Sequence, residues 1–143
     1  MPKTRVADIS IYYEARGDGE PLVLIMGLGG GSSMWWKQVD SFSGEFRVIT
    51  FDSRGVGRSD KPNTPYSMGM LVDDAAGLMK GLGIAPAHVY GVSMGGMVAQ
   101  ELALRYPDLV STLILGATTC GGPRAAMADQ ETLQKLFSIM TLS

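Results

Sequence analysis

Histidine and cysteine each occur once in the 143 residues, as His88 and Cys120, and no three basic residues stand in a row. A lone cysteine permits no intrachain disulfide, a pattern that fits a reducing cytoplasm. Positive charge is scarce too: 12 Lys and Arg against 14 Asp and Glu give a formal charge of −2. That balance offers nothing to neutralise a phosphate backbone or an acidic lipid surface, so neither nucleic acid nor a membrane is an expected partner. The uncharged stretches Pro21 to Trp36 and Leu109 to Pro123 are broken by Gly, Ser or Thr and are too short for a membrane-spanning helix. Asp8 stands where a secretory signal would carry its apolar segment, which again points to the cytoplasm. What remains, 45% apolar residues at a mean hydropathy of +0.13, is the composition of one soluble globular domain. A chain of this length buries about 70% of its unfolded surface, enough for a core without metal or disulfide staples.

Glycine is the residue in excess. The 19 glycines amount to roughly twice average usage, and they gather at Gly27 to Gly31, Gly91 to Gly96 and Gly121 to Gly122. Such clusters mark places where backbone must approach something closely. Around them, Arg5 to Arg16 alternates about Val6, Ile9, Ile11 and Tyr13 and predicts a two-stranded hairpin closed by the turn Gly17-Asp18-Gly19. Leu22 to Met26, Val48 to Phe51 and Val89 to Val92 are short apolar runs left through Gly or Asp, the signature of strands buried on both faces. Between them, Met34 to Phe42, Ser67 to Leu82 and Met94 to Tyr106, the last stopped by Pro107, read as helices. A fourth apolar run, Leu109 to Leu115, follows. Alternation of this kind predicts an α/β fold: a doubly wound, mostly parallel sheet with helices on both faces and an antiparallel hairpin at its N-terminal side. Past the linker-like stretch Gly116 to Pro123, Leu133, Leu136, Phe137 and Met140 recur at helical spacing and predict one further amphipathic helix. The division expected is residues 1–123 as the core and residues 124–143 as a terminal helical segment.

Gly91-Val92-Ser93-Met94-Gly95-Gly96 carries the clearest chemical signal. It matches G-x-S-x-G between a predicted strand and a predicted helix, the context in which a sharp turn lifts a serine hydroxyl above the sheet. The N–H groups that follow belong to a helix N-terminus, where developing negative charge is favoured. Leu22 to Gly31, a strand opening into glycines, allows two functional readings beside a purely structural turn. The Leu28 N–H could join that of Met94 as an oxyanion-hole donor. Alternatively, Gly27-x-Gly29-x-x-Ser32 is an imperfect dinucleotide fingerprint, with Asp52 placed to take a ribose and Ser32 standing where the third glycine belongs. The loop Asp52 to Asp60, dense in charge and glycine, reads as a structural lock in which Arg54 and Arg58 pair with Asp52, Asp60 or carbonyls beneath the glycine turn.

A serine hydroxyl needs a base, usually a histidine held by a carboxylate. His88 lies five residues before Ser93, about 16 Å away if both sit on one strand at roughly 3.3 Å per residue. It is therefore expected to be an ordinary residue at the start of a strand and not the base.

Together, Leu22 to Gly31, the Asp52-x-Arg54-Gly55-x-Gly57-x-Ser59-Asp60 loop, Gly91 to Gln100 and the helix end Arg105-Tyr106-Pro107 resemble the α/β-hydrolase superfamily in its esterase and lactonase-like branch. The resemblance runs over nearly the whole chain but covers only the N-terminal half of such an enzyme. It implies Ser93 as nucleophile and the N–H groups of Leu28 and Met94 as oxyanion donors, with no cofactor and no metal. The triad acid and histidine, which follow the serine in the family's chain order, have no counterpart here. Where many members carry a histidine before the first oxyanion glycine, this chain has Met26. The implied activity is hydrolysis of a small carboxylic ester or lactone when a C-terminal half completes the site, with the segment from Arg124 onward as the start of a helical cap. The other reading is a catalytically incompetent half domain or binding module. In either case the strand Leu109 to Leu115 becomes an apolar sheet edge, expected to be covered by a second copy or by a missing C-terminal half.

Overall fold

The computed structural model describes residues 1–123, 125–126 and 128–141. Six strands, β1 (Lys3–Val6), β2 (Ile9–Arg16), β3 (Glu20–Ile25), β4 (Phe46–Phe51), β5 (Ala87–Val92) and β6 (Val110–Gly116), form one sheet in the order β1-β2-β4-β3-β5-β6. β1 with β2 and β2 with β4 run antiparallel, whereas β4, β3, β5 and β6 are mutually parallel. This is the expected α/β sheet with its antiparallel pair at the N-terminal side. The β1–β2 turn, however, is Ala7-Asp8, with Val6 opposite Ile9 and Ala7 at φ 47°. Gly17-Asp18-Gly19 instead lets β2 pass to β3, since β2 pairs with β4 and not with its sequence neighbour.

Among the described residues, four α-helices connect or follow the strands: α1 (Trp36–Phe42), α2 (Met68–Gly81), α3 (Met94–Arg105) and α4 (Gln130–Thr141). The predicted helix from Met34 begins as a 3-10 turn over Ser32–Trp35, because the chain leaves the glycine loop tightly, with the Met34 N–H donating to the Gly31 carbonyl at 3.1 Å. Ser67 caps α2 by accepting the Met70 N–H at 3.2 Å. Pro107 halts α3, and a 3-10 turn, Pro107–Leu109, leads into β6. α4 lies where the amphipathic helix was expected, with Leu133 and Leu136 described; Arg124, Met127 and the side chains of Phe137 and Met140 fall outside the described residues.

Helices α2 and α3 cover one face of the sheet, where Val72, Ala75, Leu78, Met79, Val98, Ala99 and Leu102 bury Val23, Ile25, Ile49 and Val89. On the opposite face the 3-10 turn and α1 bring Trp35, Val39 and Phe42 over Leu22, Leu24 and Val48. That cover is partial. β5 is therefore sealed on one side only: Ala87, Val89 and Gly91 are buried, while His88, Tyr90 and Val92 are half-buried. A groove of about 500 Å³ opens there, lined by Phe42, Phe46, His88, Tyr90, Thr112 and Ile114 among others. β6 forms the edge, with Leu113, Ile114 and Leu115 exposed.

Candidate active site

Ser93 stands between β5 and α3 with φ 56° and ψ −125°. This is a conformation in which an L-residue is strained and persists only where its surroundings over-determine it. Glycines make the turn possible by the space they leave. A side chain at Gly91 would collide with the backbone of Gly95, and one at Gly95 with the carbonyls of Ile25 and Met26. The turn is also held by hydrogen bonds. The Ser93 N–H donates to the Gly116 carbonyl at 3.0 Å, and the Ser93 carbonyl accepts from the Gly96 N–H at 2.9 Å and from the Thr118 hydroxyl at 2.6 Å. The Gln100 amide reaches the carbonyls of Gly96, at 3.1 Å, and Thr119, at 3.0 Å. Thr118 and Gln100 thus tie the segment after β6 to the turn. Nothing in a threonine-rich stretch or in one helical glutamine distinguishes them in the sequence.

The Ser93 side chain is exposed. Met94 opens α3, where the first N–H groups of a helix have no acceptor within it. The glycine loop after β3 brings Gly27 against the serine: a Cβ at Gly27 would lie 3.1 Å from the Ser93 Cβ and 3.5 Å from its Oγ. Leu28, the next residue, is 58% exposed, so the predicted nucleophile and the backbone carrying both predicted oxyanion donors meet at one end of the parallel strands.

Asp52, at the end of β4, is buried at 2% exposure. Its carboxylate accepts the Ser32 N–H at 2.6 Å and the Arg58 N–H at 2.8 Å. Burial alone would push this carboxyl upward, but the two N–H donors and the Arg58 guanidinium 3.9 Å away outweigh it and hold the pKa below its ordinary value. With both oxygens engaged and no exposure, Asp52 does not offer itself to a ribose, which removes the main support for the dinucleotide reading of Gly27 to Ser32. Of the two arginines expected to lock this loop, Arg58 does face Asp52, but Arg54 turns elsewhere. Its buried guanidinium grips Asp74 of α2 at 2.6 and 2.8 Å and reaches Asp8 at 3.2 Å. Those carboxylates hold Arg54 firmly charged, above its ordinary range. Asp60 accepts the Ser10 N–H at 2.8 Å instead.

His88 is paired in register with Leu22, whereas Ile25 pairs with Gly91, so it occupies the end of β5 remote from Ser93. There its ring nitrogens face Thr112 at 2.6 Å and Glu20 at 3.0 Å. Among the described residues no three His, Cys, Asp or Glu side chains cluster as a metal site, and no helix is long and apolar enough to cross a membrane.

Residues 20–137 match the family model described as alpha/beta hydrolase fold. The carbamate hydrolase candidate RutD of Azorhizobium caulinodans is 36% identical over 115 residues, which are 80% of this chain and 43% of that protein. Among solved structures, the enol-lactonase of Burkholderia xenovorans LB400 is 37% identical with a TM-score of 0.75, over 78% of this chain and 45% of its own. Est816, described as an N-acyl homoserine lactone degrading enzyme, is 33% identical with a TM-score of 0.78, over 82% of this chain and 45% of its own. The chain spans less than half the length of these relatives.

Proposed function

This chain belongs to the α/β-hydrolase fold family, and from that premise we propose that it carries the nucleophile and oxyanion hole of a serine hydrolase acting on small carboxylic esters or lactones. The Ser93 Oγ attacks the carbonyl carbon as its proton passes to a base. The N–H groups of Leu28 and Met94 receive the oxyanion, collapse expels the alcohol with that proton, and water then releases the acid from the acyl-enzyme. In a lactone the leaving alcohol remains part of the acyl group throughout, so water releases a single hydroxy acid. The observation that carries the reading is the strained backbone of Ser93 at a strand-to-helix turn, with its side chain exposed beside Gly27. Two lactone-cleaving relatives support ester and lactone substrates. His88, at the wrong end of β5, is not the base, so the histidine and its carboxylate come from polypeptide beyond residues 1–143. The segment 124–143 is then the start of the cap over the site, and the enzyme works in the cytoplasm without a cofactor.

The exposed edge Leu113 to Leu115 favours a second reading, in which the 143 residues act alone as a half domain that associates through β6 and has no turnover. One experiment separates them. Purified whole protein is assayed on p-nitrophenyl acetate and an acyl homoserine lactone, with its mass taken under denaturing and native conditions. Turnover that falls by about 10⁶ in Ser93→Ala supports the hydrolase. A folded 15.2 kDa chain that doubles in native mass and turns over neither substrate supports the half domain.

A further inference from the structure

The loop from Met26 to Gly31 must hold the Leu28 N–H in place, yet four of its six residues are glycine and glycine brings no side chain to fix a conformation. Within the loop the Gly30 N–H donates to Gly27 at 3.2 Å, and the Met34 N–H closes onto Gly31 at 3.1 Å. Its first end is secured where the carbonyls of Ile25 and Met26 abut Gly95. The other end is secured by the Ser32 N–H, 2.6 Å from the Asp52 carboxylate. Asp52 is itself a rigid point. Its N–H donates to Tyr12 of β2 at 3.0 Å and its carbonyl accepts from the Ser59 hydroxyl. Gly31 and Gly57 leave room for its carboxylate, since a Cβ at Gly31 would sit 2.8 Å from Oδ1 and one at Gly57 would overlap Oδ2. Resting on the reading of Leu28 as an oxyanion donor, we propose that Asp52 is the positioning residue of this site: its carboxylate fastens the far end of the oxyanion loop to β4 and so fixes where the Leu28 N–H points.

Ionisation matters because both oxygens face N–H donors. The amide of Asp52→Asn accepts one of them and opposes the other with its own NH₂ group. Ser32→Pro leaves the carboxylate chemically unchanged but removes the N–H and puts a ring carbon in its place, which pushes the Asp52 oxygen, 2.6 Å from the Ser32 nitrogen, away from the loop. Gly31, at φ −107° and ψ 178°, already has the extended backbone that precedes proline, and Ser32 opens a helical turn where proline is accepted. Ser32→Ala, which keeps the N–H, is its reference.

Two readouts test the proposal. Amide hydrogen exchange on the chain is expected to quicken at residues 27–31 by about tenfold in Asp52→Asn and Ser32→Pro, with α2, α3 and Ser32→Ala unchanged. In the whole protein the maximal rate of Ser93 phosphonylation by a fluorophosphonate is expected to fall by about tenfold or more, while the half-saturating probe concentration moves by less than about threefold. Unchanged exchange at residues 27–31 overturns the proposal, as does protection lost equally from α2 and α3; should Asp52→Asn not fold, Ser32→Pro decides. A wild-type protein that exchanges as expected but is never labelled contradicts the hydrolase reading and leaves the loop anchor standing.

Discussion

Neighbouring residues of β5 face two differently built surroundings. Ala87 and Val89 are wholly buried beneath α2 and α3, whereas His88 and Tyr90, between and beyond them, border an open groove beside the edge strand β6. The sealed face is the one that shapes Ser93, because α3 both packs there and begins at the serine. The strained turn is therefore secured from below, through Gly95, Val98, Ala99 and Leu102, and from the end of β6 by the hydrogen bonds to Gly116 and Thr118. Anchoring of charge differs in the same way. Asp52 is satisfied by backbone N–H groups of the loops at the site, while Asp74 is satisfied by the Arg54 side chain on the α2 side.

Breaking the sealed face at its closest approach is expected to have the largest effect. A methyl group at Gly95 meets the carbonyl oxygens of Ile25 and Met26, which are fixed backbone. Gly95→Ala is therefore expected to cost about 3 kcal/mol or prevent folding, as measured by urea denaturation. Next, Leu102, fully buried on the sheet-facing side of α3, is set against Ile114, 48% exposed on β6. Leu102→Ala is expected to lose about 3 kcal/mol and Ile114→Ala under about 0.5 kcal/mol. Equal losses would mean that the open face is as well packed as the sealed one.

The smallest effect expected is on acid stability. The folded pKa of Asp52 lies below its ordinary value, so the ionised carboxylate stabilises the fold at neutral pH. That contribution declines as pH falls through the ordinary carboxylate range near about 4 and is absent below the folded pKa. Asp52→Asn removes the titration. Its stability, lower than wild type at pH 7, is expected to converge on wild type as pH drops toward 3, followed by denaturant midpoints across that range.

The sheet and the nucleophile turn were legible because their determinants are adjacent in the chain. Apolar runs alternate with helical segments, and Gly91, Ser93 and Gly95 lie within five residues. The Asp52 anchor was not legible in the same way. Its partners are backbone N–H groups, one of them 20 residues away, and a backbone donor leaves no mark in the residue type. Arg54 differs from expectation because Asp52 and Asp60 are its neighbours in sequence, whereas only the packing of α2 brings Asp74 to it. The β1–β2 turn was missed because Ala7, at φ 47°, takes a conformation for which glycine is the usual signal, while glycines were available at Gly17 and Gly19. The open groove has no sequence signature at all, since Phe42, Phe46, Tyr90 and Ile114 read as ordinary core residues.

Everything proposed for this site depends on Ser93 as a nucleophile supported by the glycine loop and α3. Its most direct test is intact-mass and peptide-level analysis of the whole protein after exposure to a fluorophosphonate. A single adduct is expected on the peptide containing Ser93, absent from a folded Ser93→Ala variant. No adduct on the folded wild-type protein, or one that persists in Ser93→Ala, would contradict it.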